Sequence, residues 1–190
     1  MRRRWRAISR QLGWVLIGVL WLAAAYAQSA DFRIKQLTSE IEGGVHQVSL
    51  KLDINFSDEM LEALRNGVAL VVQVEIEVLR PRSYWWDSTL VALKQRYQLR
   101  YHALSQSYIV RNLNTDAQES LRTLSAALDA LSTTNDIPVV DASLVPANAD
   151  YIGRLRVLLD IDALPLPLKM RAYTSPEWRA ASDWRQWSLQ

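Results

Sequence analysis

Over most of this chain apolar residues recur at every second position, the mark of strands with one dry and one wet face. Val48, Leu50, Leu52, Ile54 and Phe56 fall on one side, and Ser49, Lys51, Asp53 and Asn55 on the other. Upstream, Phe32, Ile34 and Gln36 begin a partner strand whose alternation breaks at Leu37 and runs on toward Ile41. Gly43 and Gly44 between the two supply the left-handed angles of a tight hairpin. Residues 68–79 form a third strand. Leu70, Val72, Val74, Ile76 and Val78 point one way, and its other face runs from Ala69 and Val71 to Gln73, Glu75 and Glu77.

Arg80, Pro81 and Arg82 end that strand, and Tyr84, Trp85, Trp86 and Asp87 fall in or beside the connection. In residues 90–101, Val91, Leu93, Tyr97, Leu99 and Tyr101 oppose Lys94, Arg96, Gln98 and Arg100. A turn at Ser105 and Gln106 leads to a short antiparallel partner over residues 107–112. Residues 137–144 read as an edge strand interrupted by Pro138. Residues 151–161 direct Tyr151, Leu155, Val157, Leu159 and Ile161 inward, with Arg154, Arg156, Asp160 and Asp162 outward.

Two segments adopt helical spacing instead. Ser57 caps a short helix with Asp58 and Glu59 in its electropositive first turn, Met60, Leu61 and Leu64 as its apolar stripe, and Asn66 and Gly67 at its end. The only long helix is predicted to open at Thr115, with Gln118 completing a capping box. Ala117, Leu121, Leu124, Leu128 and Leu131 then form one stripe, suited to covering a sheet. In the run Leu164, Pro165, Leu166, Pro167, Leu168 two prolines forbid a central strand. The spacing predicts an extended edge with leucines inward, with pairing resumed over residues 169–173. Near the end, Trp184 and Trp187 lie three apart, on one helical face, whereas Trp178 does not align with them.

Strands in antiparallel runs joined by a long helix predict a mainly β domain. The expected architecture is an antiparallel β-sandwich, immunoglobulin-like or related, with one long crossover helix and short terminal helical segments. A curved sheet wrapping the long helix is the alternative. Charged polar faces and the helices argue against a transmembrane barrel.

The first residues follow a different logic. Arg2, Arg3, Arg4, Arg6 and Arg10 precede an apolar run over residues 12–26, and Ala25, Tyr26 and Ala27 give a small-x-small cleavage pattern. Residues 1–27 thus predict an export signal cleaved after Ala27, leaving residues 28–190 as a single domain in the periplasm. An uncleaved inner-membrane anchor facing the periplasm is the alternative, although the run is shorter than the roughly twenty residues of a full span. Without these residues the chain has 17 basic and 20 acidic side chains instead of 22 and 20. The excess positive charge belongs to the leader, and nucleic acid loses its bulk argument. There is no cysteine, which excludes thiol chemistry, thiolate metal sites and disulfide staples.

Catalytic patterns are sparse. His46 and His102 sit in separate strands without metal-ligand spacing. Glu75 with Glu77, and Asp160 with Asp162, place carboxylates at glycosidase-like separations, but solvated strand faces do the same. Asp58 and Glu59 are explained by the helix start, and Gly43 with Gly44 by the hairpin. No nucleophile elbow, phosphate loop or dinucleotide loop occurs, so no catalytic residue, metal ligand or cofactor is assigned. Lys94, Arg96 and Arg100 on one strand and Arg154 and Arg156 on another form either cross-strand pairs with Glu75 and Glu77 or a basic docking surface. Trp178, Trp184 and Trp187 suit a plug over the open end of the sandwich, or a platform together with Tyr84, Trp85 and Trp86.

The order of these pieces resembles one family. A short helix followed by NGV and a Val/Ile strand, then YWWD, RYQLRYHALSQSYIVRN, the alanine–leucine segment, LPLPLKMRAY and SPEWRAASDWRQW are similar to DUF4390, a proteobacterial family of exported proteins of unknown function. The resemblance covers roughly residues 32–188 and is carried best by residues 96–111 and 178–187. It implies a periplasmic or envelope-associated protein, with genes often near a membrane sensor kinase, and it supplies no activity and no catalytic residues.

The expected function is therefore a non-enzymatic interaction or accessory module whose partner is an envelope or inner-membrane protein. Its expected surface is Tyr84, Trp85, Trp86, Lys94, Arg96, Arg100, Trp178, Trp184 and Trp187. A small-ligand or glycan-binding domain using the tryptophans, and an unrecognised hydrolase, are the alternatives.

Overall fold

The computed structural model describes residues 30–81, 88–146 and 150–189. The segment read as a leader, residues 1–27, lies outside them. The described fold is mainly β, with two antiparallel sheets and three α-helices. The smaller sheet has the order β1 (Asp31–Glu42), β2 (Val45–Asn55), β7 (Thr133–Asp141). The larger has the order β6 (Gln118–Leu121), β5 (Ser107–Asn112), β4 (Ser88–His102), β3 (Leu70–Arg80), β8 (Tyr151–Leu159), β9 (Arg185–Leu189).

The alternation sets the faces. Val48, Leu50, Leu52 and Ile54 of the smaller sheet and Val72, Val74, Ile76, Leu99, Leu155 and Val157 of the larger are buried in one shared core, giving a sandwich-like body. Gly43 and Gly44, at φ 58° and 81°, close the β1–β2 hairpin with Glu42 opposite Val45. The break at Leu37 is a bulge at Lys35. Ile34 opposes Leu52, but Gln36 opposes Lys51, so inward parity passes from even to odd numbers and Leu37 meets Leu50. Pro138 falls on β7, an edge strand, opposite Gln47 and beside a register irregularity, the setting in which a strand tolerates a residue without an N–H.

Helix α1 (Asp58–Arg65) forms as its cap dictates. The Ser57 hydroxyl accepts the Met60 N–H at 3.3 Å, Gly67 takes φ 86° beyond the end, and Met60 and Leu64 are fully buried.

The long crossover helix is corrected. Helix α2 covers only Leu124–Ser132, capped by Thr123, whose hydroxyl accepts the Ala126 N–H at 3.2 Å. Ahead of it, the Asn112 side chain accepts the N–H groups of Asn114 and Thr115, and Asp116 turns at φ 62°. Thr115 accepts from Ala117 rather than from Gln118, and Gln118–Leu121 pairs with β5 as an edge strand. The local Asx turn outcompetes a helical start. Leu124, Leu128 and Leu131 remain as the packed stripe.

The double-proline edge is also corrected. Residues 166–174 are helix α3 (Leu166–Thr174) with Pro167 in its first turn, where a missing N–H has no intrahelical role. Leu164 is buried, Leu166 points outward, and residues 169–173 are helical instead of strand-paired. Strand β8 stops at Leu159, and Ile161–Ala163 forms a single 3₁₀ turn capped by Asp160.

Topology gathers several elements at one end of the sheets. Asp31 opposes Asn55 at the end of β2, α1 leads on to the start of β3, and Val72 there opposes Leu159. Arg171 of α3 pairs with Glu59 of α1 at 2.5 Å. The opposite end carries the Gly43–Gly44 hairpin, whose Gly44 carbonyl accepts the Ala142 N–H.

Candidate functional site

The outward face of the larger sheet carries the charges. Register places Lys94, Glu75 and Arg156 in one cross-strand row and Ala92, Glu77 and Arg154 in the next. Arg156 Nε donates to Glu75 at 2.7 Å and Lys94 Nζ lies 3.5 Å from the other oxygen. Arg154 pairs with Glu77 at 2.6 Å through Nη2 and at 2.7 Å through Nε. Burial raises the Glu75 carboxyl, but the Arg156 hydrogen bond and charge, with Lys94, outweigh it and hold Glu75 below its ordinary range. Gln73 adds a 2.9 Å hydrogen bond to the same carboxylate.

Trp184 lies over this ladder, with both the Arg154 and Arg156 guanidinium carbons 4.7 Å from its ring. Each guanidinium therefore has a carboxylate at its edge and an indole on its face, which fixes two otherwise flexible side chains.

Beside the ladder a groove of about 630 Å³ runs between the sheet and α3, lined among others by Glu75, Lys94, Arg96, Asp160, Asp162 and Tyr173. Its far wall is a second polar cluster. Asp162 accepts Lys169 at 2.6 Å and the Tyr173 hydroxyl at 2.8 Å. These two hydrogen bonds hold the Asp162 carboxyl low, and the same carboxylate raises both Lys169 and Tyr173.

A family model described as "Domain of unknown function (DUF4390)" matches residues 29–188. The chain belongs to the DUF4390 family. Neither the curated proteins nor the solved structures contain a match.

The two stretches that carried the family resemblance have clear physical roles in this DUF4390 domain. Residues 96–111 make the β4–β5 hairpin. Residues 178–187 make the strap along β8, where Leu159 bonds Ala180, Leu158 bridges Ala181, and Gly153 faces Trp187. The strap is not helical at Trp184 and Trp187. It enters β9, whose period of two sends residues three apart to opposite sides.

The three tail tryptophans thus separate. Trp178 is fully buried as a plug, Trp187 packs on the inner face against Gly153, and Trp184 sits on the outer face. Lys94 and Arg96 share the groove, whereas Arg100 stands farther along β4, opposite Ile109. Tyr84, Trp85 and Trp86 lie outside the described residues. Tyr173 was missed as a groove residue because residues 169–173 were read as resumed strand pairing, and Asp162 was read with Asp160 on an outward strand face, whereas it lies in the 3₁₀ turn after β8.

His46 is buried on the inner side of the hairpin, opposite Ile41. His102 is exposed, and its Nδ1 lies 2.8 Å from Ser105 Oγ, itself 2.7 Å from Ser107 Oγ. That chain of hydrogen bonds closes one hairpin turn. Among the described residues no group of three His, Cys, Asp or Glu side chains is placed to hold a metal ion.

Proposed function

We propose that this DUF4390 domain is a non-enzymatic interaction or accessory module of the cell envelope, exported by residues 1–27 and working through the outer face of its larger sheet. The observation that carries the reading is Trp184 lying over Arg154 and Arg156. Tryptophan and arginine are the residues that most often anchor protein interfaces. Here Glu75 and Glu77 hold the guanidiniums in place, so a partner would meet an ordered surface and lose less side-chain entropy on docking. Two packed sheets suit such a role, as in immunoglobulin-like and related sandwiches, which present faces and loops on a rigid body.

The test is a photo-crosslinking residue at Arg96, at the groove, with the exposed Glu119 on the far edge strand as control. One dominant envelope protein captured from position 96 and not from 119 is the expected result. Absence of specific capture from an exported, folded chain would defeat the reading.

A second reading, binding of a small ligand or glycan, is favoured by the groove itself, with Tyr173 and paired charges on its walls. It predicts that a member of an oligosaccharide panel binds the domain in titration calorimetry and that Tyr173→Ala, on the groove wall, removes the binding.

A further inference from the structure

Large apolar side chains are exposed at the end of the domain where α1 and α3 meet. Leu166, Met170 and Tyr173 are 72 %, 64 % and 52 % exposed. They recur at intervals of four and three on α3, so they form one stripe, while Ala172 and Leu168 on the other side pack on the core. Scattered exposed leucines need no explanation, but a stripe of three does. The charges beside it are already satisfied. Lys169 pairs with Asp162 and Arg171 with Glu59, so a surface covering the stripe desolvates no lone charge from α3.

The chain itself says what lies near that end. Asp31 begins β1 opposite Asn55, just ahead of α1. The apolar run over residues 12–26 ends four residues before Ala30. Fully extended, that link reaches no more than about 14 Å. Whatever holds the apolar run is therefore held close to the end that carries α3. A run shorter than about twenty residues is a marginal anchor. A second contact from the tethered domain occurs at high effective concentration, so even a small stripe contributes.

We propose that in the full-length chain α3 lies on the phospholipid bilayer that holds the N-terminal run, with Leu166, Met170 and Tyr173 entering the headgroup layer. Tyrosine suits that depth because its ring is apolar while its hydroxyl keeps a polar partner, here Asp162 at 2.8 Å. The proposal rests on the alternative reading in which residues 1–27 stay uncleaved as an inner-membrane anchor, and within the envelope role it fixes how the domain stands on the membrane.

The absence of native cysteine allows clean single-site labelling. Full-length protein carrying an environment-sensitive fluorophore on Met170→Cys, or on Leu144→Cys at the opposite end, is reconstituted into phosphatidylethanolamine–phosphatidylglycerol vesicles. Lipid-borne nitroxide is expected to quench most of the emission at position 170 and little at 144. Adding Leu166→Asp should abolish the difference with an unchanged far-ultraviolet circular dichroism spectrum, and Leu166→Ser repeats the test if that spectrum changes. Equal quenching at both sites, or none at either, overturns the proposal. So does a label at 170 that is shielded from aqueous iodide yet untouched by lipid nitroxide, which identifies a protein on the stripe instead. The vesicle assay reads lipid contact alone. Failure of the anchor reading is seen separately, from the mass and N-terminal residue of the protein isolated from cells.

Discussion

Gly153 of β8 faces Trp187 of β9, and the indole occupies the space that a side chain at position 153 would need. A Cβ there would overlap Cε2 and Cζ2 of the ring. The β8–β9 pairing, at one edge of the larger sheet, therefore depends on a residue with no side chain.

Gly153→Ala is expected to destabilise the domain by about 1–3 kcal/mol, because the ring has to leave its place or the strands have to part. Urea unfolding measures this. In a Trp187→Leu background the same alanine should cost much less, and equal costs in both backgrounds would show that the contact is not the cause.

That pairing also shows how far the sequence could be read. The alternation of β2 and β8 was legible because each buries one face and leaves the other partly wet, whereas β3 is buried on both faces from Leu70 to Val74 and β4 alternates only between half-buried and exposed positions, with Leu99 alone buried. Bulged β1 kept its pattern with a phase change at Lys35, visible only as a break at Leu37. Residues 115–121 misled because Leu121 and Ala117 fit a helical stripe, while the deciding forces were the local Asx turn at Asn112 and pairing with β5, the second set by tertiary context. The prolines of residues 164–168 misled in the opposite direction, since a proline that forbids a strand also opens a helix. The charge ladder was half legible. Which strands carried acids and bases could be read, but the neighbours of β3 could not, and the place of Trp184 required knowing that the tail ends as a strand.

The correction to the crossover helix has its own test. Thr123→Ala removes the hydroxyl that accepts the Ala126 N–H and should cost about 1 kcal/mol. Thr115→Ala should cost no more than about 0.5 kcal/mol, because that hydroxyl sits in an exposed turn ahead of an edge strand. Chemical denaturation of the two variants side by side distinguishes the caps, and a larger loss at position 115 would restore the longer helix.

Trp178 is the largest fully buried side chain, and its indole N–H has no hydrogen-bond partner among the described residues. Trp178→Ala is expected to cost about 3–5 kcal/mol through the cavity it leaves. Trp178→Phe keeps most of the ring and removes an unsatisfied donor, so its cost should stay within about 1 kcal/mol. Thermal or urea unfolding of the pair tests the plug. A phenylalanine variant as unstable as the alanine one would mean that the N–H has a partner the domain needs.

The ladder under Trp184 makes stability depend on acid in a definable way. The Glu75 carboxyl is held below its ordinary value of 4.5 by Arg156 and Lys94 against the opposing effect of burial. Folding therefore favours its ionised form, and in the acid range the unfolded chain binds more protons than the folded one. The stabilisation is fully present above that ordinary value and is lost as pH falls through the lower folded-state value. Glu75→Gln keeps the shape but removes the charge. At neutral pH it should cost about 1 kcal/mol, the ion pairs being only partly shielded from water. Below pH 4.5 the difference between wild type and variant should shrink, because the wild-type carboxyl is then being protonated as well. Asp141, Asp162 and Glu177 are also held low, but they are present in both proteins and cancel in the difference. Urea unfolding across the acid range gives that difference directly. A gap that stays constant down to the lowest pH would mean that Arg156 and Lys94 do not hold the Glu75 charge in the folded state, and the ordered guanidinium face on which the proposed interface depends would lose its physical basis.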